Sequence, residues 1–206
     1  MSTRLPAEER KAAVLECACA IFQAGSYRGT TTAEIARRAG VTEPILYRHF
    51  ASKRELYLAV LEESWRRLRA HWDATVEAED DPRFWLGAIG RAYLESADPT
   101  MHCADLWIQA LTEASDDQQI RRFLRKQMRE VHTYVSDVIR RSQDAGGIIR
   151  DRDPSAEAWL FIAIGLLGTV GRRLGGVLEE DLPRIFASRR EWMTGVKDGP
   201  TDAKSP

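Results

Sequence analysis

The segment from Thr31 to Lys53 is rich in hydroxyl, guanidinium, imidazole and ammonium groups. The guanidinium of Arg48 can fork onto guanine O6 and N7 or onto a phosphate, and the Tyr47 hydroxyl suits a phosphate oxygen. Apolar side chains in the same segment can contact thymine methyl groups. The residues that we expect to face DNA are Thr31, Thr32, Thr42, Glu43, Pro44, Ile45, Tyr47, Arg48, His49 and Lys53.

Two short helices joined by a tight turn would position these groups. Ile35 and Ala39 lie four residues apart on one predicted helix, and Leu46 and Phe50 lie four apart on the next. Gly40 between them allows a sharp turn. This layout is that of a helix-turn-helix, whose second helix enters the major groove. The spacing alone also fits a helical hairpin with a solvated polar face.

The rest of the chain is predicted to be helical, because strand patterns and hairpin turns are absent. Capping boxes begin at Thr31 and Ser52, and an aspartate precedes a proline at Asp81 and Asp153. The predicted helices are 7–24, 32–39, 43–50, 53–78, 82–97, 101–114, 117–145, 154–174 and 182–196. The sequence therefore predicts an all-α protein.

Composition indicates a globular protein of the cytoplasm. The 206 residues are 44% hydrophobic and 30% charged. The first eleven residues are polar and lack the apolar stretch of a signal peptide. The longest apolar run, 158–170, is too short for a membrane span, so we expect no membrane association. Residues 1–60 carry nine Lys or Arg against six Asp or Glu, which gives the first quarter a basic excess.

No motif points to an enzyme. The sequence has no Gly-x-Ser-x-Gly, no His-Glu-x-x-His, no phosphate-binding glycine loop and no dinucleotide fingerprint. His102 and Cys103 are adjacent, but no further ligands follow at zinc-finger spacing. The three cysteines do not form a disulfide framework. We therefore predict a non-enzyme without metal or cofactor.

From Ala12 to Leu61 the sequence resembles the DNA-binding domain of the TetR family. The matching stretches are Phe22-x-x-Gly25-Ser26-Tyr27, 30–36, Ala39-Gly40-Val41, 46–50 and 52–56. The resemblance implies an N-terminal three-helix helix-turn-helix domain, residues 1–55. It also implies a larger helical domain for ligand binding and dimerisation, residues 56–198. Residues 199–206 are predicted to be a disordered tail.

The recognition helix departs from the family pattern at its start. Glu43-Pro44 occupies positions where the family often has small or basic residues. Proline is tolerated in a first helical turn. The carboxylate of Glu43 would repel phosphate or accept a hydrogen bond from a cytosine N4 amine.

The C-terminal part contains a helix that is apolar around most of its circumference, 158–176. Such a helix must be buried on several sides. Gly165 and Gly168 would admit a close neighbour. We expect a homodimer through the helices near 154–174 and 182–196, with the core helix of a monomer as the alternative. The residues expected to line a ligand chamber are Trp85, Ile89, Tyr93, Trp107, Leu111, Phe123 and Trp159.

Taken together, the residues and the resemblance predict a DNA-binding transcriptional repressor. A small, largely apolar ligand would release it from a palindromic double-stranded operator. The alternative is a helical DNA-binding protein that is regulated by a protein partner and has no small-molecule ligand.

Overall fold

The computed structural model describes residues 7–94 and 103–197, and every regular element in them is an α-helix. The elements are α1 (Ala7–Ala24), α2 (Thr32–Arg38), α3 (Glu43–His49), α4 (Lys53–Glu77), α5 (Trp85–Leu94), α6 (Cys103–Glu113), α7 (Gln118–Asp144), α8 (Pro154–Arg173) and α9 (Leu182–Thr194). The predicted all-α class is confirmed. The predicted tail at 199–206 lies outside the described residues.

The predicted caps begin three of these helices. The Thr31 hydroxyl accepts the Glu34 amide at 3.2 Å, and the Ser52 hydroxyl accepts the Glu55 amide at 3.1 Å. The Asp153 carboxylate accepts two amides of the first turn of α8, at 2.7 and 3.0 Å. These side chains satisfy amides that have no partner within the helix, so the local sequence defines where each helix starts.

The predicted start of the fifth helix at residue 82 is wrong, because α5 begins at Trp85. The Asp81 carboxylate binds the backbone and the guanidinium of Arg83, and the Phe84 amide donates to the Asp81 carbonyl at 2.9 Å. Residues 81–84 therefore form a turn that is closed by side-chain contacts, and the helix begins only after it. The predicted end of this helix at 97 lies outside the described residues.

The helices form two compact units. The first contains α1, α2, α3, the start of α4, α6 and the start of α7. Its core is one cluster in which Phe22, Ile35, Leu46, Leu56 and Leu106 are all fully buried. Because the helix-turn-helix elements and α6 share this core, the first unit extends beyond the expected domain boundary at residue 55. The functional division at that boundary stays a prediction.

The second unit contains the end of α4, α5, the rest of α7, α8 and α9. Tyr93 on α5 and Thr169 on α8 are both buried, and their hydroxyls lie 3.0 Å apart. The Ile149 amide donates to the Met193 carbonyl at 2.9 Å, which ties the segment before α8 to the end of α9. Helix α8 is therefore bound to α5, and the segment that leads into α8 is bound to the end of α9.

Helix α8 keeps a large apolar surface exposed. Leu160 and Leu167 on α8 and Leu174, the residue that caps its end, are 48%, 47% and 68% exposed, and their seven-residue spacing places them on one face. A Cβ on Gly168 would meet the Leu94 side chain, whereas a Cβ on Gly165 would meet nothing within 4 Å. In the described part of the chain, α8 alone is long and apolar enough to cross a membrane, a criterion that core helices also meet.

Candidate nucleic-acid interface

The polar segment identified in the sequence is built on α2, a tight turn and α3. Gly40 has a φ of +67°, a conformation that glycine adopts without strain. The Val41 amide then donates to the Ala36 carbonyl at 3.0 Å and closes the turn. The predicted helix-turn-helix geometry is therefore present.

Helix α3 is held by its apolar side. Leu46 is fully buried and Phe50, just after the helix, is 2% exposed, and both belong to the core of the first unit. A seven-residue helix is not stable alone, so its orientation depends on this packing. The opposite face of α3 is consequently presented to solvent by a rigid support.

The exposed face of α3 carries the expected DNA-contacting groups. Tyr47 is 45% exposed, and Pro44 and Arg48 are also exposed, while Ile45 and His49 are partly buried. Within the described residues, Arg48 makes no hydrogen bond or ion pair, so its guanidinium is available to an external acceptor. Thr42 precedes the helix and is exposed, and its hydroxyl makes no capping hydrogen bond.

Glu43 and Thr32 contact each other across the turn. The Thr32 hydroxyl donates to a Glu43 carboxylate oxygen at 2.6 Å, and it lies 3.1 Å from the Tyr47 hydroxyl. Thr32 is only 8% exposed. Its hydroxyl is thus engaged inside the domain, and the contact with DNA expected for Thr32 from the sequence stays a prediction.

Lys53 lies in the first turn of α4, beside the connection between α1 and α2. Its ammonium stands 4.5 Å from the centroid of the Tyr27 ring and 3.5 Å from the Arg28 carbonyl oxygen. Partial burial lowers the pKa of this ammonium. The charge of the Glu113 carboxylate opposes this effect without forming an ion pair, and a phosphate would supply a counter-charge in direct contact, as expected for a backbone contact.

Three ion pairs that the sequence did not predict join the helix-turn-helix elements to the corner between α6 and α7. Arg28 donates to Glu113 at 3.0 Å and to Asp116 at 2.5 Å. Arg54 donates to Asp117 at 2.8 Å, and this hydrogen bond holds the pKa of the Asp117 carboxyl below its usual range. The partners are more than 60 residues apart in sequence. No local pattern could therefore identify them.

The residues predicted to bind ligand are divided between the two units. Ile89 and Tyr93 are buried in the second unit. Trp85, also in that unit, donates from its ring nitrogen to the Glu79 carbonyl at 2.8 Å, and Trp159 is 46% exposed. The structure thus places only part of this group in the interior of the second unit.

The other three predicted ligand residues belong to the first unit. Trp107 and Phe123 pack against the core that also holds the helix-turn-helix, and Leu111 is 45% exposed. Their contribution to a ligand site stays a prediction.

The second unit also contains an aromatic group in which Tyr134 is a candidate from the sequence, whereas Trp72 and Phe161 are not. The ring of Trp72 lies 5.6 Å from that of Tyr134 and 6.1 Å from that of Phe161. The Tyr134 hydroxyl donates to the Asp73 carboxylate at 2.9 Å. Trp72 and Asp73 were missed because they lie near the end of the long helix α4. The sequence pattern there does not indicate which residues of α4 belong to the second unit.

Metal chemistry has no candidate site in the part of the chain that the structure describes. No group of three or more histidine, cysteine, aspartate or glutamate side chains is arranged there to hold an ion. Cys17 and Cys19 are not joined in a disulfide.

Comparison with protein families gives two matches that together cover more than half of the chain. Residues 14–60 match the N-terminal model of bacterial regulatory proteins of the tetR family. Residues 82–165 match the C-terminal model of BetI-type transcriptional repressors. The first match contains every residue of the α2–turn–α3 segment.

Individual relatives agree with these matches. The transcriptional activator FasR of Mycolicibacterium smegmatis is 39% identical over 92 residues, which are 45% of this chain and 42% of that protein. The chain therefore spans less than half the length of this relative.

Solved structures show the same fold. A TetR-family regulator from Rhodococcus sp. is 22% identical, with a TM-score of 0.79 over 90% of this chain and 99% of that one. A transcriptional regulator from Saccharomonospora viridis, solved in complex with choline, is 21% identical. Its TM-score is 0.66 over 77% of this chain and 82% of that one.

Proposed function

The chain belongs to the TetR family of DNA-binding transcriptional regulators, and from this premise we propose that it is a cytoplasmic, homodimeric repressor released from a palindromic operator by a small molecule. Members of this family are regulators and not enzymes, which agrees with the absence of catalytic motifs in the sequence. The observation that carries the proposal is the exposed face of α3, which is braced by a buried helix-turn-helix core.

We assign two kinds of DNA contact to this surface. Lys53, Thr31 and Thr42 contact the phosphate backbone, where they fix the position of the domain without recognising sequence. Base contacts come from the exposed face of α3, chiefly from Arg48. Its free guanidinium can form paired hydrogen bonds with guanine. Pro44, Ile45 and His49 lie around Arg48 and complete the surface.

The homodimer is proposed from the uncovered apolar face of α8. Leu160, Leu167 and Leu174 are each about half exposed or more, and Trp192 on α9 is 49% exposed. A contiguous apolar face of this kind is costly in water and is typical of an interface between subunits. A second copy of the chain would cover it symmetrically. Two recognition helices separated by about 34–36 Å could then contact successive turns of one DNA face.

The effector is proposed to be small, and choline, a methylated cation instead of the largely apolar ligand expected from the sequence, is the first compound to test. The BetI-type match and the choline complex of a structural neighbour motivate that choice. The second unit offers the groups that recognise a quaternary ammonium. The rings of Trp72, Tyr134 and Phe161 lie close together, with the Asp73 carboxylate beside them. Ile89 and Tyr93, predicted from the sequence, supply buried surface in the same unit.

Release from DNA would follow from a change in the support of the helix-turn-helix. The ion pairs of Arg28 and Arg54 connect that support to the α6–α7 corner. Helices α4 and α7 contribute to both compact units, so we propose that they carry the effector's influence to this corner. An effector can shift the protein only by the difference between its affinities for the DNA-bound and the released states.

Two steps test this proposal. Selection from a randomised duplex library should yield a palindrome, and choline should then release the protein from that DNA in a gel-shift titration. Tyr134→Phe should weaken release while it leaves DNA binding intact, and Arg91→Ala, an exposed change on α5, serves as the control. Release by no small molecule in a broad screen would support the alternative, regulation by a protein partner. Failure to enrich any sequence would contradict the proposal itself.

A further inference from the structure

Glu43 is an unusual residue for the first turn of a helix that approaches DNA, because its charge has the same sign as phosphate. In the structure its carboxylate does not face outward without a partner. It accepts the hydroxyl of Thr32 at 2.6 Å, and that hydroxyl is also 3.1 Å from the Tyr47 hydroxyl. The three side chains therefore form one hydrogen-bonded chain from α2 to α3.

The protons shared by Glu43, Thr32 and Tyr47 have only one consistent arrangement. A carboxylate is an acceptor without a proton, so the single proton of the Thr32 hydroxyl goes to Glu43. The Thr32 oxygen is then left with lone pairs only. The Tyr47 hydroxyl, 3.1 Å away, must therefore donate its proton to Thr32. Tyr47 is 45% exposed, and the outward side of its oxygen consequently offers lone pairs.

This polarity decides what Tyr47 can contact. A phosphate oxygen is itself an acceptor, so it gains nothing from an oxygen whose proton is already used. The exocyclic amines of the major groove, adenine N6 and cytosine N4, are donors. A phenolic oxygen on the recognition helix with its lone pairs outward complements them.

We propose that Tyr47 accepts a hydrogen bond from a base amine in the major groove, and that Glu43 is the positioning residue that sets this polarity through Thr32. The inference rests on the proposed function, because it requires α3 to enter the major groove. It reverses the roles expected from the sequence. Glu43 becomes an internal acceptor instead of a base contact, and Tyr47 becomes a base contact instead of a phosphate contact.

The proposal predicts a shared effect of two substitutions on base preference. The wild-type protein, Tyr47→Phe, Glu43→Ala and the double variant are each used to select sequences from one randomised duplex library. Tyr47→Phe removes the acceptor. Glu43→Ala frees the Thr32 proton for Tyr47 and so turns the phenol toward donation. Both should lose preference for adenine or cytosine at the same position of each half-site, by about fivefold or more, which is the lower end for a base contact.

The double variant makes the test specific to the hydrogen-bonded chain. Because both residues act through one contact, the double variant should lose no more preference at that position than Tyr47→Phe alone. Glu62→Ala, which removes an exposed carboxylate from α4, is the control and should leave the preference unchanged. Thermal melting of each variant shows that the fold is retained.

Four results would overturn the inference. Uniformly tighter binding by Glu43→Ala, with no change in base preference, would mean that Glu43 only repels phosphate. If Glu43→Ala lost base preference at a position where Tyr47→Phe keeps it, Glu43 would contact a base directly. Unchanged preferences in Tyr47→Phe would remove Tyr47 from the base contacts, while the proposed function stands if the wild-type protein still enriches a palindrome. Enrichment of no sequence by the wild-type protein would overturn both.

Discussion

Replacing Lys53 by methionine isolates the contribution of one ammonium to DNA binding. The substitution keeps an unbranched stem at the start of α4 but removes the charge that lies 4.5 Å from the Tyr27 ring. No carboxylate forms an ion pair with Lys53 within the described residues, so its charge is available to a phosphate. We expect weaker binding to every DNA sequence, because phosphate contacts are independent of sequence.

The size of the effect follows from counterion release. Each phosphate that is neutralised contributes about 0.9 to the slope of log affinity against log salt concentration. A dimer carries two copies of Lys53, so the slope of Lys53→Met should be shallower by about 1.8. The ratio of wild-type to variant affinity should therefore be about tenfold smaller at 200 mM salt than at 50 mM salt.

Fluorescence anisotropy on one selected duplex and on one unrelated duplex measures both quantities. Lys197→Met, which removes an exposed lysine of the second unit, is the matched control and should keep the wild-type slope. A slope for Lys53→Met equal to that of wild type would refute the phosphate contact. A loss confined to the selected duplex would equally refute it, because it would indicate contact with a base.

Three further substitutions test other parts of the account. Arg48→Ala should weaken operator binding by about 1–3 kcal/mol and relax preference at one position, and an unchanged gel-shift titration would remove Arg48 from the interface. Leu167→Arg places a charge on the apolar face of α8 and should give monomers in sedimentation velocity. A variant that dimerises at the same protein concentration as the wild type would show that this face is not the interface. Leu46→Ala empties a fully buried site under α3 and should lower the free energy of unfolding by about 2–5 kcal/mol in urea denaturation. A loss well below that range would mean that Leu46 does not anchor α3.

The sequence was sufficient where structure depends on nearby residues. The hydroxyls of Thr31 and Ser52 and the carboxylate of Asp153 mark helix starts by bonding to amides two or three residues away. The spacing of Leu46 and Phe50 identified the buried side of α3 for the same reason. Asp81 misled the prediction because the same carboxylate can cap a helix or close a turn. The contact with Arg83 favours the turn.

The sequence was insufficient where the fold brings distant groups together. Nothing near Arg28 or Arg54 indicates that their partners are Glu113 and Asp117. Glu43 and its partner Thr32 are eleven residues apart and meet across the turn, so a comparison of motifs cannot show their contact. Ligand-binding residues were predicted from their aromatic or large apolar side chains alone. That criterion selects Trp107 of the first core as readily as it selects Tyr93 of the second unit.

The composition of the protein–DNA complex shows whether two copies of the chain bind one palindrome. Native mass spectrometry of the wild-type chain on one selected duplex gives the number of chains per site, and footprinting gives the spacing of the contacts. We expect two chains, or a multiple of two, on a palindrome whose half-sites lie about 10–10.5 base pairs apart or at a multiple of that distance. A single chain bound at full affinity, or equal affinity for all duplexes, would contradict it.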